Sequence, residues 1–364
     1  MAEVIERFAP AYWARYADRI TLDQRRALQA ILQCRTPALG GHRYACNCGY
    51  AHYAFHSCNH RLCPRCGTAD TQAWVTKQLG RLLPVPYYMV TFTLPAQLRM
   101  VLRTKREAME LLMRCSAQAL RELLADTHRN GFHRSGFFGV YQSWTQDMRF
   151  HPHVHYLVPA VGLDTQWRLK RPKDPKFFIY AEPIAKRLRT LLTNQLHQAG
   201  LIHTALFWKL VKMHWNASVD HAGSGDNAIK YLGQYIRRSV ISDNRILAIE
   251  DDKVRIRTKN RTTQAYASSL LDGVEFVRRF LQHAMPARFH RIRYYGFLHA
   301  RGKATLEWLQ LLLDAHQRPE TQSTPNSELT FLCPRCRTPM MRTRQMPRAP
   351  PAQRNQQFFH IIAA

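Results

Sequence analysis

The sequence predicts an α+β fold in which an antiparallel sheet forms the main domain and a metal-binding module precedes it. Three observations lead to this prediction. Runs of strand-like residues do not alternate cleanly with helical ones beyond residue 85. Six of the nine cysteines fall between residues 34 and 66. With 364 residues and 46% hydrophobic content, the chain can bury a core and hold two or three domains.

The charge of the chain indicates the class of its partner. Lysine and arginine number 53 against 25 acidic residues, which gives a net charge of +28. The basic residues are spread over the whole length and interleaved with 17 Phe, 15 Tyr and 7 Trp, a mixture that suits phosphate contacts and base stacking. No apolar run approaches the length of a bilayer span, and no secretion signal is recognisable. We therefore expect a cytoplasmic protein that binds nucleic acid and has no membrane partner.

Residues 1–85 begin with a helix and continue as a cysteine-rich segment, the predicted zinc-binding domain. Its predicted ligands are two thiolate pairs separated by fourteen residues: Cys46 with Cys48, and Cys63 with Cys66. Two close pairs joined by a loop are what a tetrahedral Zn²⁺ site needs. Cys58 and His60 lie close enough to compete as ligands. A second site could draw on Cys34 and nearby histidines, whereas the alternative is that the cysteines are reduced core residues.

Residues 86–245 carry the main predicted sheet. The strand-like YYMVTFTLP begins it near residue 88, and Leu, Met and Ala at helical spacing then predict a helix to about residue 126. GFFGVYQSW and HPHVHYLVPAV are the next two predicted strands. A helix from about residue 182 to 199 leads to FWKLVKMHWNASVD, which also looks like a strand.

The strand HPHVHYLV presents three histidines on one face, because residues two apart on a strand point the same way. His151, His153 and His155 are these residues. Two neutral imidazoles so placed can hold one divalent ion and leave positions for a phosphate oxygen. The alternative is an ordinary strand that carries three polar side chains.

The segment NAIKYLGQYIRRSVIS predicts an amphipathic helix with Ile229, Leu232 and Ile236 in its buried stripe. Tyr231 and Tyr235 lie one turn apart on a flank of this helix. Two phenols beside cations are candidate nucleophiles, although two packing tyrosines at a core edge would look the same. The cations are also the predicted DNA contacts here: Lys230, Arg237 and Arg238.

Residues 246–314 extend the main domain with a hairpin-like pair and a helix near residues 272–284. His290 to Arg293 spells H-x-x-R, a pattern of tyrosine recombinases, but that chemistry needs a downstream tyrosine and none follows Tyr295. We therefore interpret Arg291 and Arg293 as DNA-binding or structural residues.

Residues 315–364 form a basic tail rich in Gln, Pro and Arg, for which we expect loose order. Cys333 and Cys336 repeat the CPRC motif found at Cys63. One thiol pair is half of a zinc site, which His360 or the N-terminal cluster could complete. A free pair of surface thiols explains the motif equally well.

Together these motifs resemble the HUH-type two-tyrosine rolling-circle transposases of bacterial insertion sequences, which carry an N-terminal zinc-binding domain. The resemblance covers nearly the whole chain. It rests on CRTPALGGHRYACNCG, HSCNHRLCPRCG, VTFTLP, HPHVHYLV, YLGQYIRRSVISDNRI and FVRRFLQHAMPARFHRIRYYGFLHARGK. One departure is Gln142, which stands where relatives commonly have histidine, and we assign it no role.

The resemblance implies an HUH endonuclease core and a DNA transposase activity on the single-stranded ends of a transposon and its target. His153 and His155 would bind the catalytic Mg²⁺ or Mn²⁺, with His151 and Gln234 as candidates for a third ligand. A tyrosine would attack the DNA and leave a 5′-phosphotyrosine with a free 3′-hydroxyl. It also implies a bacterial protein associated with the nucleoid, and it leaves homo-oligomerisation open.

Two other functions share part of these features. A plasmid replication initiator or relaxase would also use paired histidines and a tyrosine, but the chain has no G-x-x-x-x-G-K-[ST] loop of a fused helicase. A non-enzymatic zinc-finger DNA-binding protein would explain the charge and the cysteines, yet it would leave residues 90–300 without a purpose. The zinc module favours transposition.

Overall fold

A computed structural model describes residues 1–66, 68–174, 178–236, 240–259, 263, 265–314 and 331–363. Side chains at 68–69, 234–236, 357 and 359–363 are outside this description. The helices are α1 (Ala2–Tyr16), α2 (Leu22–Gln33), α3 (Thr68–Leu79), α4 (Arg99–Thr104), α5 (Arg106–Ala125), α6 (Ala181–Gln198), α7 (Thr204–Lys212), α8 (Asp226–Ile236), α9 (Gly273–Leu281), α10 (Lys303–Leu312) and α11 (Pro351–Ala363). The strands are β1 (Gly41–Ala45), β2 (Ala51–Phe55), β3 (Tyr87–Thr93), β4 (Gly136–Trp144), β5 (Phe150–Pro159), β6 (Gly162–Leu163), β7 (Leu169–Lys170), β8 (Asn216–His221), β9 (Ile246–Glu250), β10 (Lys253–Lys259), β11 (Tyr266–Asp272), β12 (Ile292–Gly296) and β13 (Met341–Met346).

The centre of the molecule is a five-stranded antiparallel sheet with the order β12-β4-β5-β3-β8. The predicted α+β class with an antiparallel sheet is confirmed. β4 and β5 lie in the middle, and every residue of β4 is buried. Because both faces of these strands are covered, their sequences are almost continuously apolar and the polar exceptions stand out.

Helices cover the central sheet on both sides. On one face, Val154 and Tyr156 of β5 share an apolar core with residues of α5 and α6, such as Leu120 and Leu188. On the other face, Leu157 of β5 shares a core with residues of α3, α8 and α10. Successive residues of a strand point to opposite faces, so one strand contributes to both cores. The histidines of β5 belong to the face that α3 and α8 cover.

One predicted strand is partly wrong. The first half of FWKLVKMHWNASVD lies in α7, and only its second half forms a strand, β8. His203 caps α7, since its Nδ1 accepts a hydrogen bond from the amide of Leu206 at 3.3 Å. Aromatic and β-branched residues favour strands in general, but a cap and a packed helical face outweigh that preference here.

The N-terminal helices share a core with the C-terminal extension. Ile5 and Phe8 of α1 and Ile31 of α2 are buried with Phe276 and Phe280 of α9. A capping box starts α2, in which the Thr21 side chain and the Gln24 side chain each accept a hydrogen bond from the other residue's amide. Residues far apart in sequence thus build one unit beside the central sheet.

The expectation of a loosely ordered tail is wrong for residues 331–363. β13 pairs antiparallel with β1, from Gly41 opposite Met346 to Ala45 opposite Met341, and forms a sheet of order β13-β1-β2. α11 packs on α1 and α2, where Phe358 is buried. Backbone pairing requires no apolar pattern, which is why the composition of the tail did not reveal this strand.

No helix among the described residues combines the length and the apolarity that crossing a bilayer requires.

Candidate active site and metal centres

The three histidines of β5 lie on one face of the central sheet. The ring centroids of His151 and His153 are 5.5 Å apart, and those of His153 and His155 are 4.8 Å apart. His153 and His155 are buried, with exposed fractions of 5% and 8%. Leu157, the next residue on this face, shares a core with Leu232 of α8. The histidine face is therefore the face beneath the tyrosine helix.

Hydrogen bonds orient both buried imidazoles. Nδ1 of His153 lies 2.7 Å from the carbonyl oxygen of His151. A carbonyl only accepts hydrogen bonds, so Nδ1 carries the proton and Nε2 presents a lone pair. In His155, Nδ1 lies 2.9 Å from Thr91 Oγ1 and Nε2 lies 3.2 Å from Gln142 Oε1. Neighbouring strands therefore fix both rings.

Gln142, to which no role was assigned from the sequence, lies at the centre of this site. It faces His153 in the register of β4 and β5 and is buried, with an exposed fraction of 3%. Its amide nitrogen donates to the carbonyl of Trp144, at a long 3.4 Å, which leaves Oε1 directed at His155. The site thus contains two imidazoles and one amide oxygen.

The two predicted candidates for a third ligand have different positions. His151 is partly exposed, and its Nδ1 accepts a hydrogen bond from Arg99 Nη2 at 3.3 Å. This contact holds that nitrogen toward solvent. Gln234 lies on α8, but its side chain is outside the described residues.

The tyrosine helix α8 brings one phenol to the histidines. Ile229 and Leu232 are buried, with exposed fractions of 1% and 0%, as the predicted stripe requires. The ring of Tyr231 lies 6.1 Å from that of His155, centroid to centroid, at an angle of 86°. Tyr231 keeps an exposed fraction of 40%, so a large substrate can reach its hydroxyl.

A close helix contact sets the position of α8. Gly233 lies on α8 against α3, where an added Cβ would stand 2.4 Å from Cγ2 of Val75. Glycine within a helix costs roughly 0.5 to 1 kcal/mol relative to alanine, so a packing reason is expected. α3 is itself attached to the sheet, since Trp74 Nε1 donates to Tyr294 Oη on β12 at 2.6 Å.

Several predicted residues of this helix fall outside the structural description. The backbone of α8 includes Tyr235, one turn after Tyr231, but its side chain is not described. Arg237 and Arg238 lie outside the described residues altogether. Lys230 is described and exposed.

The cysteines form two separate groups, which differs from the prediction. Among the described residues, ligand atoms converge within 4.8 Å of one another in a first set, the Cys34 group, and a second set, the Cys46 group. The Cys34 group contains Cys34, Cys58, Cys63 and Cys66. The Cys46 group contains Cys46, Cys48, Cys333 and Cys336.

The β1–β2 hairpin explains this grouping. Cys46 and Cys48 lie at its turn, next to the paired residues Ala45 and Ala51. Cys58 follows its open end, where Gly41 pairs with Phe55. Five residues of strand span about 17 Å at about 3.4 Å each, so the two ends cannot share one ion. The prediction that Cys46 and Cys48 share a site with Cys63 and Cys66 is therefore corrected, since the structure places the two pairs in different groups.

Both groups fit a tetrahedral metal ion. Sulfurs about 2.3 Å from Zn²⁺ lie about 3.8 Å from one another. In the Cys34 group, Sγ of Cys66 lies 3.4 Å from that of Cys34 and 3.6 Å from that of Cys58. Hydrogen bonds from Cys58 and Cys63 lower the pKa of Cys34, so its thiolate is stabilised by the neighbouring thiols. His60 does not belong to this group, and its Nδ1 accepts a hydrogen bond from the Leu62 amide.

The two predicted DNA-binding arginines of the segment from His290 to Arg293 have different surroundings. Arg291 is buried, with an exposed fraction of 7%, and its guanidinium lies 5.0 Å from the ring centroid of Trp144. Arg293 forms an ion pair with Glu110 of α5. The structural interpretation agrees with the surroundings of Arg291, because a buried guanidinium does not reach a DNA phosphate, whereas Arg293 is partly exposed.

Three residues at or near the site were not predicted from the sequence. Thr91 and Gln142 contact His155 across two strand pairs, and only the strand register brings them together. The role of Gly233 could have been predicted, since an interior glycine in an amphipathic helix suggests close packing against a neighbouring element.

Comparisons with known proteins give a consistent result. The family model described as "Putative transposase" matches residues 136–305, and the model described as "Transposase zinc-binding domain" matches residues 4–94. A relative from Sinorhizobium fredii (strain NBRC 101917 / NGR234), described as "Putative transposase y4qJ", is 35% identical over 322 residues, which cover 82% of this chain and 80% of the relative. The "Transposase for insertion sequence element IS801" of Pseudomonas savastanoi pv. phaseolicola is 29% identical over 289 residues, which cover 74% of this chain and 68% of the relative. No solved structure matches the chain significantly.

Proposed function

The chain belongs to the insertion-sequence transposases with an IS91-type zinc-binding domain, and from this premise we propose that it nicks and rejoins single-stranded DNA through a 5′-phosphotyrosine. The observation that carries the proposal is the distance of 6.1 Å between the ring centroids of Tyr231 and His155. A phenol beside two buried imidazoles combines a nucleophile with ligands for a divalent ion.

The ligand set supports a catalytic Mg²⁺ or Mn²⁺ at the histidines. His153 and His155 would bind it through Nε2, and Gln142 Oε1 is the third ligand that we propose in place of His151. Neighbouring ligands of an octahedral ion about 2.1 Å away lie about 3 Å apart, and His155 Nε2 lies 3.2 Å from Gln142 Oε1. The Thr91 hydroxyl would then accept a hydrogen bond from Nδ1–H of His155 and hold the ring.

When bound, the ion polarises the scissile phosphate and stabilises the charge that develops on its oxygens. The Tyr231 oxygen attacks phosphorus in line, so a Tyr–O–P bond forms as the P–O3′ bond breaks. The phenol loses its proton, and the departing 3′-oxygen gains one. No water is consumed, and attack by a 3′-hydroxyl on the phosphotyrosine reverses the step and rejoins DNA.

Tyr235 would serve as a second nucleophile one helical turn from Tyr231. Residues four apart on a helix lie on the same side, and one turn advances about 5.4 Å along the axis. With two such residues, one DNA end can stay attached to protein while a second is cut. The exposed Lys230 and the basic residues around α8 would bind the DNA backbone.

The test is a covalent adduct that survives SDS. Purified protein is incubated with Mn²⁺ and single-stranded oligonucleotides that carry the element's ends. A 3′ label should migrate with the protein, whereas a 5′ label should leave on a fragment with a free 3′-hydroxyl. The double variant Tyr231→Phe, Tyr235→Phe should lower the adduct at least about a thousandfold, because phenylalanine has no nucleophilic oxygen.

Tyr266→Phe is a matched control, since Tyr266 lies on β11 with an exposed fraction of 70%. It should form the adduct at the rate of the unchanged chain. Adduct formation by the double variant, or cleavage of duplex DNA without a covalent species, would disprove the mechanism.

A further inference from the structure

The Cys46 group joins two parts of the chain that are distant in sequence. Cys46 and Cys48 lie at the turn of the β1–β2 hairpin, and Cys333 and Cys336 belong to the tail that precedes β13. The zinc-binding family model ends at residue 94, so it does not include the tail thiols. A site made of both pairs is thus additional to the Cys34 group.

Backbone turns hold each thiol pair in place. The amide of Gly49 donates to the carbonyl of Cys46 at 2.9 Å, which closes the turn around the first pair. The amide of Arg337 donates to the carbonyl of Cys333 at 2.8 Å, which closes the turn around the second. Two preformed turns lower the entropy cost of bringing four thiolates to one ion.

Sulfur distances favour a metal ion over disulfides. Sγ of Cys46 lies 3.3 Å from that of Cys336, and Sγ of Cys48 lies 3.5 Å from that of Cys333. All four sulfurs lie within 4.8 Å of one another, close to the edges of a thiolate tetrahedron. A disulfide bond is about 2.05 Å long and needs only two of them.

Few apolar residues surround the group. The core cluster here contains three buried residues, Cys46, Cys333 and Met340. All residues of β13 are exposed except the partly buried Met346. Small modules with so little core commonly depend on a structural metal, whose binding free energy becomes folding free energy.

We propose that Cys46, Cys48, Cys333 and Cys336 bind a second structural Zn²⁺ that fastens the tail to the N-terminal domain and completes the β13-β1-β2 sheet. Four thiolates in a tetrahedron select a soft ion such as Zn²⁺. This role is independent of the proposed strand transfer.

Metal content of the purified full chain tests the proposal. With zinc in the growth medium and reductant in the buffers, mass spectrometry of the metals should find about two Zn²⁺ per chain. The variant Cys333→Ser, Cys336→Ser should retain about one, because the Cys34 group is intact. Cys115→Ala is the control, since this buried cysteine of α5 belongs to neither group, and it should keep both ions.

Limited trypsin digestion provides a second measurement. Arg342 and Arg344 lie on β13, whose pairing with β1 protects the backbone until the strand opens. Cleavage at these residues should be at least about tenfold faster in the tail variant than in the unchanged chain. Cys63→Ser, Cys66→Ser should lose one Zn²⁺ and yet keep slow cleavage there.

The variant Cys336→His tests whether any effect of changing Cys336 arises from loss of a metal ligand or from misfolding. Cys336 is exposed, and an imidazole can replace a thiolate as a zinc ligand, so this variant should keep about two Zn²⁺ and slow cleavage. About one Zn²⁺ in the unchanged chain, iron in place of zinc, disulfides among the four cysteines, or unchanged cleavage in the tail variant would each overturn the proposal.

Discussion

Gln142 is the residue on which the proposed metal site depends most. It offers an amide oxygen beside the two buried imidazoles. An oxygen ligand and two imidazoles suit Mn²⁺ or Mg²⁺. Its burial and its contact with His155 distinguish it from a glutamine on an ordinary strand.

Removal of this oxygen should weaken metal binding. We expect Gln142→Ala to raise the Mn²⁺ concentration for half-maximal adduct formation about 10- to 100-fold, whereas Gln142→His should stay close to the unchanged chain. A titration of adduct against Mn²⁺ measures this effect. Gln146→Ala, at an exposed position in the following turn, is the control. An unchanged midpoint in Gln142→Ala would remove this residue from the ligand set.

His283 should make the stability of the chain depend on pH. Burial lowers its pKa to about 3, while Ser143 and the carbonyl of Met148 contact its ring nitrogens at 3.0 Å each. Its pKa in the unfolded chain is about 6.5, so below that pH the unfolded chain binds a proton that the folded chain does not. The free energy of unfolding should therefore decrease by about 2 kcal/mol between pH 7 and pH 5.

His283→Gln should lack this contribution, because glutamine does not titrate. Urea unfolding of both proteins at pH 7, 6 and 5, with zinc present, measures the difference between their pH slopes. Equal slopes would mean that another group causes any loss of stability in this range.

The sequence predicted which histidines share a face but not the residues that contact them. Alternation along a strand was enough to place His151, His153 and His155 on one face. Their contacts with Thr91 and Gln142 depend on how three strands align, and that register follows from packing across the whole sheet. The same reason applies to the cysteines, whose grouping depends on the β1–β2 hairpin.

At the scale of elements, the contact between α3 and α8 determines the position of the proposed nucleophile. Gly233 permits the two helices to approach, since a methyl group there would meet Val75 at 2.4 Å. Tyr231 lies two residues earlier on α8. A small displacement of this helix would therefore move the phenol relative to His155.

Gly233→Ala should lower both stability and adduct formation. Overpacking at such a contact costs about 1 to 3 kcal/mol, and we expect the adduct rate to fall about tenfold. Val75→Ala in the same chain should restore part of both, because it removes the methyl group that clashes. Gly80→Ala is the control, as the nearest atom to its added Cβ would be 3.8 Å away. Thermal unfolding and adduct rates together test the prediction, and a double variant no better than Gly233→Ala would refute it.

The elements with strong hydrophobic periodicity were predicted correctly. The elements that were missed or assigned wrongly lack such periodicity. α5 repeats apolar residues at helical spacing and was predicted almost to its end. α7 is short, and its aromatic residues favour a strand, so only the cap at His203 and tertiary packing decide its conformation. β13 has almost no buried side chain. Its partner β1 is also distant in sequence, since Arg43 and the Thr343 to which it is hydrogen-bonded are 300 residues apart.

At the scale of the whole molecule, α3 connects the zinc-binding domain with the proposed active site. Cys66 of the Cys34 group lies two residues before α3, and α3 packs against the tyrosine helix. A metal ion at the Cys34 group would therefore support the position of Tyr231 without touching DNA.

Loss of that ion should impair the reaction. We expect Cys63→Ser, Cys66→Ser to reduce adduct formation at least about tenfold while the affinity for Mn²⁺ stays within about twofold, because the histidines are unchanged. Adduct rates at saturating Mn²⁺ and the Mn²⁺ midpoint provide these two quantities. A variant with the full rate would show that α3 keeps its place without the metal.

The strand order β13-β1-β2 also affects how the protein is made. Cys46 and Cys336 are separated by 290 positions in the chain. At about 5 to 20 residues per second, a ribosome needs on the order of 15 to 60 seconds to add that many residues. During this time the hairpin thiols have emerged without the tail thiols. The β13-β1-β2 sheet can therefore be completed only after Met346 has been synthesised, and a translation product interrupted before β13 would leave it open.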